Sequence, residues 1–478
     1  MPSPFDTCVG SQGSVPLYAA ADAGARNRPL KYLLWGDGVR YLESPPSSGR
    51  RKVRARGTTG RVDEGHLQGR ALLEVYFIDV GQGDGVLLRT PDFRHLLIDG
   101  GYPRGSQPSG KSAADFVDWK FAQDYEQDTI RLDALIASHN DHDHYGGLDD
   151  LLDVAQTAEL DAGRVTVEQF FHAGLSWWKT ASGGRTLGPR VTTPGGKVIT
   201  QLLGDRATEE AASSGAGSQL QGAWASFVRK VLGASTAQGL PTPMTRLSHA
   251  SGLLPGFEGS GDTPVLRVLG PVESSAGGRP GLAWLGSESL TTNGQSLLLR
   301  VDYGHCRILL TGDLNLAAQQ ALLRHCEGGE DIFACDVAKC CHHGSEDVSF
   351  SFLQAMTPAA TVISSGDAEG HDHPRPRIVA ASGLTGYQTF RNDQLLTPLV
   401  YSTEIARSLQ IGEVKRVVQR GGATLQGAAL NDLTAHIEVR KPGRLKPSQQ
   451  ARSLGRRSHL VAGLVYGLVN VRTDGRTV

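Results

Sequence analysis

The sequence has no long apolar run, which limits where the protein can reside. Spanning a bilayer takes about 20 consecutive apolar residues, and the longest candidate, LVAGLVYGLVNV near the C-terminus, is shorter and predicts a strand. The opening stretch MPSPFDTCVGSQGS lacks a basic start followed by an apolar core, so it does not predict a secretory signal. We therefore expect a cytoplasmic protein with no membrane partner.

Cysteine is scarce and irregularly spaced. Six cysteines occur in 478 residues, at positions 8, 306, 326, 335, 340 and 341. A disulfide framework is not expected in a chain of this length with such spacing.

A large excess of charge of either sign is also missing. The formal net charge is −1, so the protein as a whole has no strong field that attracts nucleic acid. Attraction for a polyanion must come from bound metal or from local basic segments, of which RRKVRAR at 50–56 and a segment at 441–457 are the candidates. For each segment alone, solvated surface is the more ordinary interpretation.

What the sequence has in abundance is glycine, with 60 residues, and compact apolar runs that end in polar residues. The runs EVYFIDV, GVLLRT, HLLIDGG and LDALIASH are typical of buried strands that deliver side chains at their ends. Helical stretches alternate with such runs, which predicts an α/β sandwich with helices covering the sheets. We assign this domain to residues 73–404, with an insertion at about 174–292 that carries one helix and is a candidate lid.

The regions before and after this domain have different sequence patterns from it. Residues 1–68 contain short strand-like runs between turn residues, which predicts a small β-barrel. Residues 405–478 form a C-terminal extension with further strands and an exposed basic linker at 441–457.

One stretch concentrates metal-binding residue types. Residues 136–147 read IASHNDHDHYGG, in which donors fall at positions 139, 141, 143 and 144 directly after a predicted strand. Three of the chain's 15 histidines lie within these few residues. Positions 139 and 141 face one way and 143 and 144 close from the other side, so the turn can hold two cations close enough to activate water for hydrolysis.

This stretch resembles the HxHxDH signature of the metallo-β-lactamase superfamily, with Asp141 where the second histidine usually stands. The HxDxDH form is similar to the C-terminal domain of the competence DNA-uptake proteins ComEC or Rec2. Further motifs occur in the same order as in that subfamily: FIDVGQGDGVLL, LLIDGG, LLTGD, CCHHGS and GHDHPRP. The resemblance spans about residues 73–404 and implies an αββα sandwich. Separately, KVRARGTTGRV with DEGHL, and VPLYAAAD, resemble bacterial SH3-like domains; an irregular N-terminal extension is the alternative.

The resemblance implies roles for particular residues. The implied metal ligands are His139, Asp141, Asp143, His144, Asp313, His342, His343 and His373, with Asp143 and His343 also as catalytic residues. The implied supporting residues, which orient ligands and turns, are Asp79, Asp84, Asp99 and His142.

Several alternatives stay open at this stage. Asp313 precedes a helix and is also a candidate N-cap, and one of His342 and His343 is expected to ligate without the sequence ranking them. His142 is also a candidate substrate-facing group or exposed bystander. Cys340 and Cys341 replace an apolar residue and a proline of the subfamily; they are extra soft ligands or, as we favour, small buried side chains. His172 is expected to be structural.

These residues predict an enzyme. A carboxylate-rich site favours two divalent ions, with manganese or zinc as the leading identities. The leading function is a phosphodiesterase, specifically a nuclease acting on DNA, and the alternatives are a small-ester hydrolase (phosphorylcholine-type ester or lactone) and a non-catalytic metal-binding scaffold. The expected partners are a phosphodiester substrate and, through the SH3-like domain, a protein or peptide.

Overall fold

The fold was described from a computed structural model. It covers residues 3–19, 29–44, 49–106, 111–153, 160–214, 219–259, 262–366, 373–404, 411–413, 416–418, 422–426, 429, 434–439, 448–453, 459–461 and 467–478. Within this part of the chain, no helix is long and apolar enough to cross a membrane.

The N-terminal strands form a six-stranded antiparallel sheet. In VPLY, Val15 and Leu17 are buried while the residues between and after them are more exposed, which is the alternation of a strand with one packed face. The sheet order is β1-β4-β5-β6-β2-β3, and its buried face has a hydrophobic cluster of its own. Assignment to the SH3-like class stays a prediction. The strands are β1 (Thr7–Cys8), β2 (Val15–Tyr18), β3 (Pro29–Leu33), β4 (Gly38–Tyr41), β5 (Arg50–Ala55) and β6 (Thr58–Asp63).

The next segment builds the first of two seven-stranded sheets and the helices on its outer face. Its strands β7, β8 and β9 are fully buried, as their continuous apolar sequence requires. The elements are β7 (Leu73–Ile78), β8 (Gly85–Arg89), β9 (His95–Gly100), α1 (Ala113–Asp118, continued by a π-helix at Trp119–Asp124), β10 (Thr129–Leu132), β11 (Ala134–Ala137), α2 (His142–Leu152), β12 (Arg164–Val167) and β13 (Phe170–His172).

The predicted insertion at about 174–292 is more closely integrated than the sequence suggested. Its described residues form three helices, where one was predicted, and three of its strands join the two large sheets. The elements are β14 (Trp178–Lys179), β15 (Arg185–Thr186), β16 (Arg190–Thr193), β17 (Gly196–Ile199), α3 (Arg206–Ser213), α4 (Gly222–Gly233), β18 (Met244–Arg246), β19 (Gly252–Leu253), β20 (Val265–Gly270), β21 (Glu273–Ala276), β22 (Arg279–Ala283) and α5 (Glu288–Gly294). Strands β16, β17, β22 and β21 form a separate four-stranded sheet.

The second large sheet and its helices follow. The elements are β23 (Leu298–Tyr303), β24 (Cys306–Leu310), α6 (Leu316–His325), β25 (Val337–Lys339), α7 (Phe350–Met356), β26 (Ala360–Ile363), α8 (Pro376–Thr385), β27 (Thr389–Arg391), β28 (Gln394–Leu396) and β29 (Leu399–Ser402).

The last segment joins the main body through its final strand. This strand, β36 (Leu468–Thr473), pairs antiparallel with β7 at the edge of the first sheet, and no local sequence pattern indicates that pairing. Much of the predicted basic linker at 441–457 lies outside the described residues, and the described part of it is strand β34. The elements are β30 (Ile411–Glu413), β31 (Arg416–Val418), β32 (Thr424–Gln426), β33 (Thr434–Val439), β34 (Ser448–Ser453), β35 (His459–Val461) and β36 (Leu468–Thr473).

The two seven-stranded sheets stack as the inner layers of a sandwich. Their orders are β18-β13-β11-β9-β8-β7-β36 and β19-β20-β23-β24-β25-β26-β29. In β7, Val75 and Phe77 point into the cluster between the sheets, while Tyr76 and Ile78 point to the helices on the outer face. A third cluster lies between the second sheet and α6, α7 and α8. The predicted α/β class is therefore confirmed, with helices on both outer faces.

Candidate metal centre

Both sheets deliver polar residues to one edge of the sandwich. In the first sheet β9, β11 and β13 run parallel, and in the second β24, β25 and β26 do. Parallel strands end at the same edge, so the residues that follow them meet there. Asp99, His139, Asp313 and His343 each lie at or just beyond the end of such a strand.

The centre of the cluster is one oxygen of Asp313. The Nε2 atoms of His144 and His343 lie 3.2 Å and 3.1 Å from its Oδ2, and the Nε2 atom of His342 lies 3.7 Å away. Asp313 is buried. The N-cap of α6 is Asn315, whose side chain accepts from the Ala318 amide, so Asp313 is not committed to capping that helix.

The outer nitrogens of the two imidazoles nearest Asp313 face acceptors. His144 Nδ1 lies 2.9 Å from Asp99 Oδ2, and His343 Nδ1 lies 3.2 Å from the Ser364 carbonyl and 3.1 Å from Asp84 Oδ1. Each Nδ1 must therefore carry the hydrogen and donate it. A neutral imidazole has only one N–H, so both Nε2 atoms then present lone pairs to a carboxylate oxygen. This arrangement is stable only with a proton or a metal cation between them.

The pKa values of the two imidazoles reflect this choice between a proton and a metal cation. Burial lowers the pKa of His144, but Asp313 and Asp99 outweigh it and raise that pKa well above its ordinary value. Burial likewise opposes protonation of His343, yet Asp313 and Asp84 raise its pKa to about 10. A divalent cation would take the place of these protons, as metal binding to imidazole requires.

His139 supplies a further unused donor atom. Its Nδ1 contacts the hydroxyls of Ser138 and Ser296 at 3.0 and 3.1 Å, while its Nε2 is buried without a hydrogen-bond partner among the described residues. Burial holds the pKa of His139 well below its ordinary value, so the ring is neutral. A neutral imidazole with a buried lone pair is a ready metal ligand.

The 136–147 turn also contributes two carboxylates, those of Asp141 and Asp143. Asp143 accepts from Gln82 Nε2 at 2.9 Å, and its Oδ2 lies 3.6 Å from His343 Nε2. Asp141 is the N-cap of α2 and accepts from the His142 amide at 2.9 Å. Burial, followed by the charge of Asp143, raises the pKa of Asp141. Both carboxylates would gain from a cation between them.

Sequence reasoning missed the part played by two residues. Asp84, expected only to support the ligands, lies in the cluster itself with His144, Asp313 and His343. The Lys339 ammonium contacts Asp84, lies 3.7 Å from Asp313 Oδ1 and donates to the Gly312 carbonyl at 2.9 Å. The signal was present, because Lys339 ends β25 as other residues of the site end or follow their strands.

The cluster has an excess of negative charge. Five carboxylates face one ammonium group. Among the described residues, two negative charges are uncompensated when His144 and His343 are protonated, and four when these imidazoles are neutral, as metal binding requires. Burying such charge without counterions is costly. The carboxylates are Asp84, Asp99, Asp141, Asp143 and Asp313, and the ammonium is Lys339.

The backbone at the second histidine motif is strained in a way that aims its rings. His342 and His343 both adopt positive φ, at 47° and 52°, and Asp99 has φ of 57°. Such conformations cost about 1–3 kcal/mol each and persist where the surroundings enforce them. The two histidines consequently differ in access: the His343 side chain is 1% exposed and the His342 side chain 25%.

The remaining predicted residues lie farther out. The His142 ring packs edge-on against Tyr102 and beside Tyr145, because its position on α2 turns it from the cluster. Asp79 bonds the Lys111 ammonium at 2.7 Å and the Gly467 amide at 3.0 Å, so it holds strand ends together. The His373 ring lies 5.8 Å from that of His342 and 6.4 Å from that of His343, and its role as a metal ligand stays a prediction.

Three further side chains belong to the packing around the site. Cys340 and Cys341 lie in the hydrophobic cluster under the second sheet. Burial raises the pKa of Cys341 to about 11 and that of Cys340 further, so both are neutral thiols. His172 is buried against Glu209, with 2.7 Å between Nε2 and Oε1.

An αββα sandwich with an imidazole–carboxylate cluster at one edge is the arrangement that the motifs predicted. No family model matches the chain. It is 32% identical over 107 residues to competence protein ComA of Neisseria gonorrhoeae, which is 22% of this chain and 15% of ComA. It is 28% identical over 106 residues to ComE operon protein 3 of Bacillus subtilis, which is 21% of this chain and 13% of that protein. The chain thus matches only a small part of either relative, and within it the predicted resemblance to ComEC-type proteins is confirmed.

Solved structures with related architecture include two metallo-β-lactamase-type proteins. YhfI of Bacillus subtilis aligns at 11% identity and TM-score 0.32, covering 69% of this chain and 96% of YhfI. Tm1679, a metal-dependent hydrolase of the β-lactamase superfamily, aligns at 12% identity and TM-score 0.33, covering 74% and 99%.

Proposed function

We propose that this protein is a metal-dependent hydrolase that cleaves phosphodiesters, and specifically a nuclease acting on DNA. The observation that carries the proposal is the pair of buried imidazoles whose Nε2 atoms converge on the same Asp313 oxygen, where each can exchange its proton for a metal cation. The similarity to competence proteins supports a nucleic-acid substrate.

The residues fit two divalent cations. Four uncompensated negative charges would be balanced by two such ions, and the buried Nε2 of His139 and the carboxylates of Asp141 and Asp143 extend the donor set beyond a single site. Carboxylate-rich donor sets favour manganese more than all-imidazole sets do, and zinc remains compatible with the histidines. Divalent ions at such a site acidify water and polarise the scissile group.

The protein's own groups divide between holding the cations and meeting the substrate. His343 is enclosed and oriented by Asp84 and the Ser364 carbonyl, which suits a ligand. His342 is the accessible imidazole of the pair, and burial lowers its pKa, so it is neutral and can donate a hydrogen bond. Its Nε2 lies 3.3 Å from the Asn293 side-chain nitrogen. These two polar groups are placed to position a substrate oxygen.

The test is hydrolysis by chelator-treated protein reloaded with manganese or zinc. Labelled single-stranded DNA, duplex DNA and RNA would be compared with bis(p-nitrophenyl) phosphate, a lactone and a phosphorylcholine ester. We expect metal-dependent cleavage of DNA and of the small phosphodiester. An Asp143→Ala variant should lose about three orders of magnitude in kcat/KM, since about 4 kcal/mol of charge stabilisation is removed.

The matched control is Asp92→Ala, which removes an exposed carboxylate that pairs with Arg94. It should retain full activity. Unchanged hydrolysis by metal-free protein would refute the proposal, and cleavage of the lactone or choline ester alone would replace the nuclease by a small-ester hydrolase.

A further inference from the structure

One segment of the insertion is purely basic. Between His172 and Asp205 the sequence contains no Asp or Glu, but it contains four Lys or Arg residues. The whole chain has a net charge of −1, so a local charge of +4 over this segment is a marked departure from the average. The four residues, which we call the basic insertion surface, are Lys179, Arg185, Arg190 and Lys197.

The structure leaves these four side chains exposed and without carboxylate partners. All four are exposed, on β14, β15, β16 and β17. None forms an ion pair with a carboxylate of the described residues. Lys179 and Arg185 stand directly opposite each other across the β14–β15 hairpin. Like charges in that position destabilise a hairpin, and an anion between them would remove the repulsion.

Both arginines of this surface lie over tryptophan rings. The Arg185 guanidinium carbon lies 4.1 Å from the centroid of Trp177, and that of Arg190 lies 4.4 Å from the centroid of Trp284. A cation–π contact restrains the side chain without using its N–H donors. A guanidinium edge matches the paired oxygens of a phosphate.

The basic run at 50–56, which the sequence offered as a phosphate contact, is arranged in the opposite way. Arg50 pairs with Asp63 and Arg51 with Glu64, both at 2.9 Å, and Arg54 pairs with Glu126 at 2.6 Å. Each of these arginines therefore has a carboxylate partner, which Arg54 shares with Arg40.

The basic insertion surface adjoins the metal centre through two contacts. Trp177 donates its indole N–H to the carbonyl of Asn140, which lies between His139 and Asp141. On the other side, Gln295 donates to the Ala283 carbonyl next to Trp284, at 2.8 Å. The Arg185–Trp177 pair is thus one contact from the metal-binding turn.

We propose that the basic insertion surface binds the phosphate backbone of a nucleic-acid strand and leads it to the metal centre. The second half of this statement rests on the proposed function; the first half is a binding property that exists without metal. The insertion acts as a substrate-binding arm carrying fixed positive charge.

The test is binding of a fluorescein-labelled oligothymidylate of about 20 nucleotides in excess chelator, followed by fluorescence anisotropy. A triple variant, Arg185→Gln, Arg190→Gln and Lys197→Gln, should bind about tenfold or more weakly than wild type, and the slope of log Kd against log salt should fall by about 2. The control triple variant changes Arg307, Arg324 and Arg391, which are exposed elsewhere, to Gln. It should bind within about twofold of wild type.

Hydrolysis of bis(p-nitrophenyl) phosphate by the metal-loaded variants separates the two proposals. We expect the insertion variant to retain this activity, because the small substrate does not need the arm. Weak binding by wild type, or equal binding by both triple variants, would overturn the inference while leaving the hydrolase intact. Failure of metal-loaded wild-type protein to hydrolyse bis(p-nitrophenyl) phosphate would instead refute the proposed function.

Discussion

Two buried charge clusters in this molecule look alike in composition and differ in balance. The first, which we call the ion-pair cluster, has three carboxylates and three cationic groups: Glu74, Asp37, Asp124, Arg89, Arg472 and Lys120. The second is the candidate metal centre, in which five carboxylates face Lys339 and the imidazoles of His144 and His343. The ion-pair cluster has equal numbers of positive and negative groups, whereas the metal centre keeps an excess of carboxylates even when both imidazoles are protonated. The charge balance therefore separates a structural cluster from a candidate metal site.

The ion-pair cluster also explains how distant parts of the chain are joined. Arg472 on β36 bonds Asp37 at 2.7 Å in the N-terminal sheet and lies 4.0 Å from Glu74 on β7. Arg89 bonds Glu74 at 2.9 Å. The Glu74 carboxylate thus links β7 to β8 through Arg89. Through Arg472 it also links the first sheet to the N-terminal sheet.

The largest effect should follow removal of that carboxylate. Glu74→Ala leaves Arg89 and Arg472 buried with less compensation, which should lower the free energy of unfolding by about 3–5 kcal/mol. Urea unfolding measures it. Metal content per folded chain should not change, and a loss of metal in this variant would break the distinction between the clusters.

The same carboxylate gives the ion-pair cluster a pH dependence of known sign. Burial opposes ionisation of Glu74, but Arg89 and Arg472 lower its pKa from 4.5 to about 2. Its contribution is therefore complete above about pH 4.5 and declines as the pH falls toward 2. The stability gap between wild type and Glu74→Gln should narrow over that range; a gap independent of pH would contradict the assignment.

An intermediate effect is expected from Asp99→Asn. The carboxylate fixes the Nδ1–H tautomer of His144 without approaching Asp313, so its loss should weaken metal affinity about 10–100-fold. Competition with a fluorescent chelator would measure this. Asp92→Asn serves as the control, and equal affinities for the two variants would show that His144 needs no such orientation.

The smallest effect should come from a surface pair. Arg50→Gln removes a partly exposed partner of Asp63, which should cost at most about 1 kcal/mol in urea unfolding. Oligonucleotide binding should stay at the wild-type level. Weaker oligonucleotide binding by this variant would indicate that the phosphate contact lies on the N-terminal sheet and not on the insertion.

The parts that sequence predicted best were those governed by strand ends. His139, Asp143, His144, Asp313 and His343 meet because each follows a buried strand or opens the helix after one. Their motifs show both the strand and the donor. Lys339 also ends a buried strand, but its salt bridge with Asp84 could not be predicted from either motif, because that contact depends on how the two sheets stack.

Two other features escaped prediction for different reasons. The pairing of β36 with β7 joins residues nearly 400 positions apart, and nothing local specifies it. The acid-free stretch of the insertion was visible in the sequence, but its meaning depends on ion pairing. The run at 50–56 looks more basic, yet Arg50, Arg51 and Arg54 pair with carboxylates that only the fold brings close.

The main proposal to test is that the metal centre binds divalent cations. Its most direct test is metal stoichiometry after dialysis of chelator-treated protein against manganese or zinc, with Asp313→Asn beside wild type and Asp302→Asn as a remote control. We predict two ions per chain in wild type and in the control, and a loss of at least one in Asp313→Asn. Wild-type protein that binds no divalent ion, or an Asp313→Asn variant that binds as many as wild type, would contradict the account.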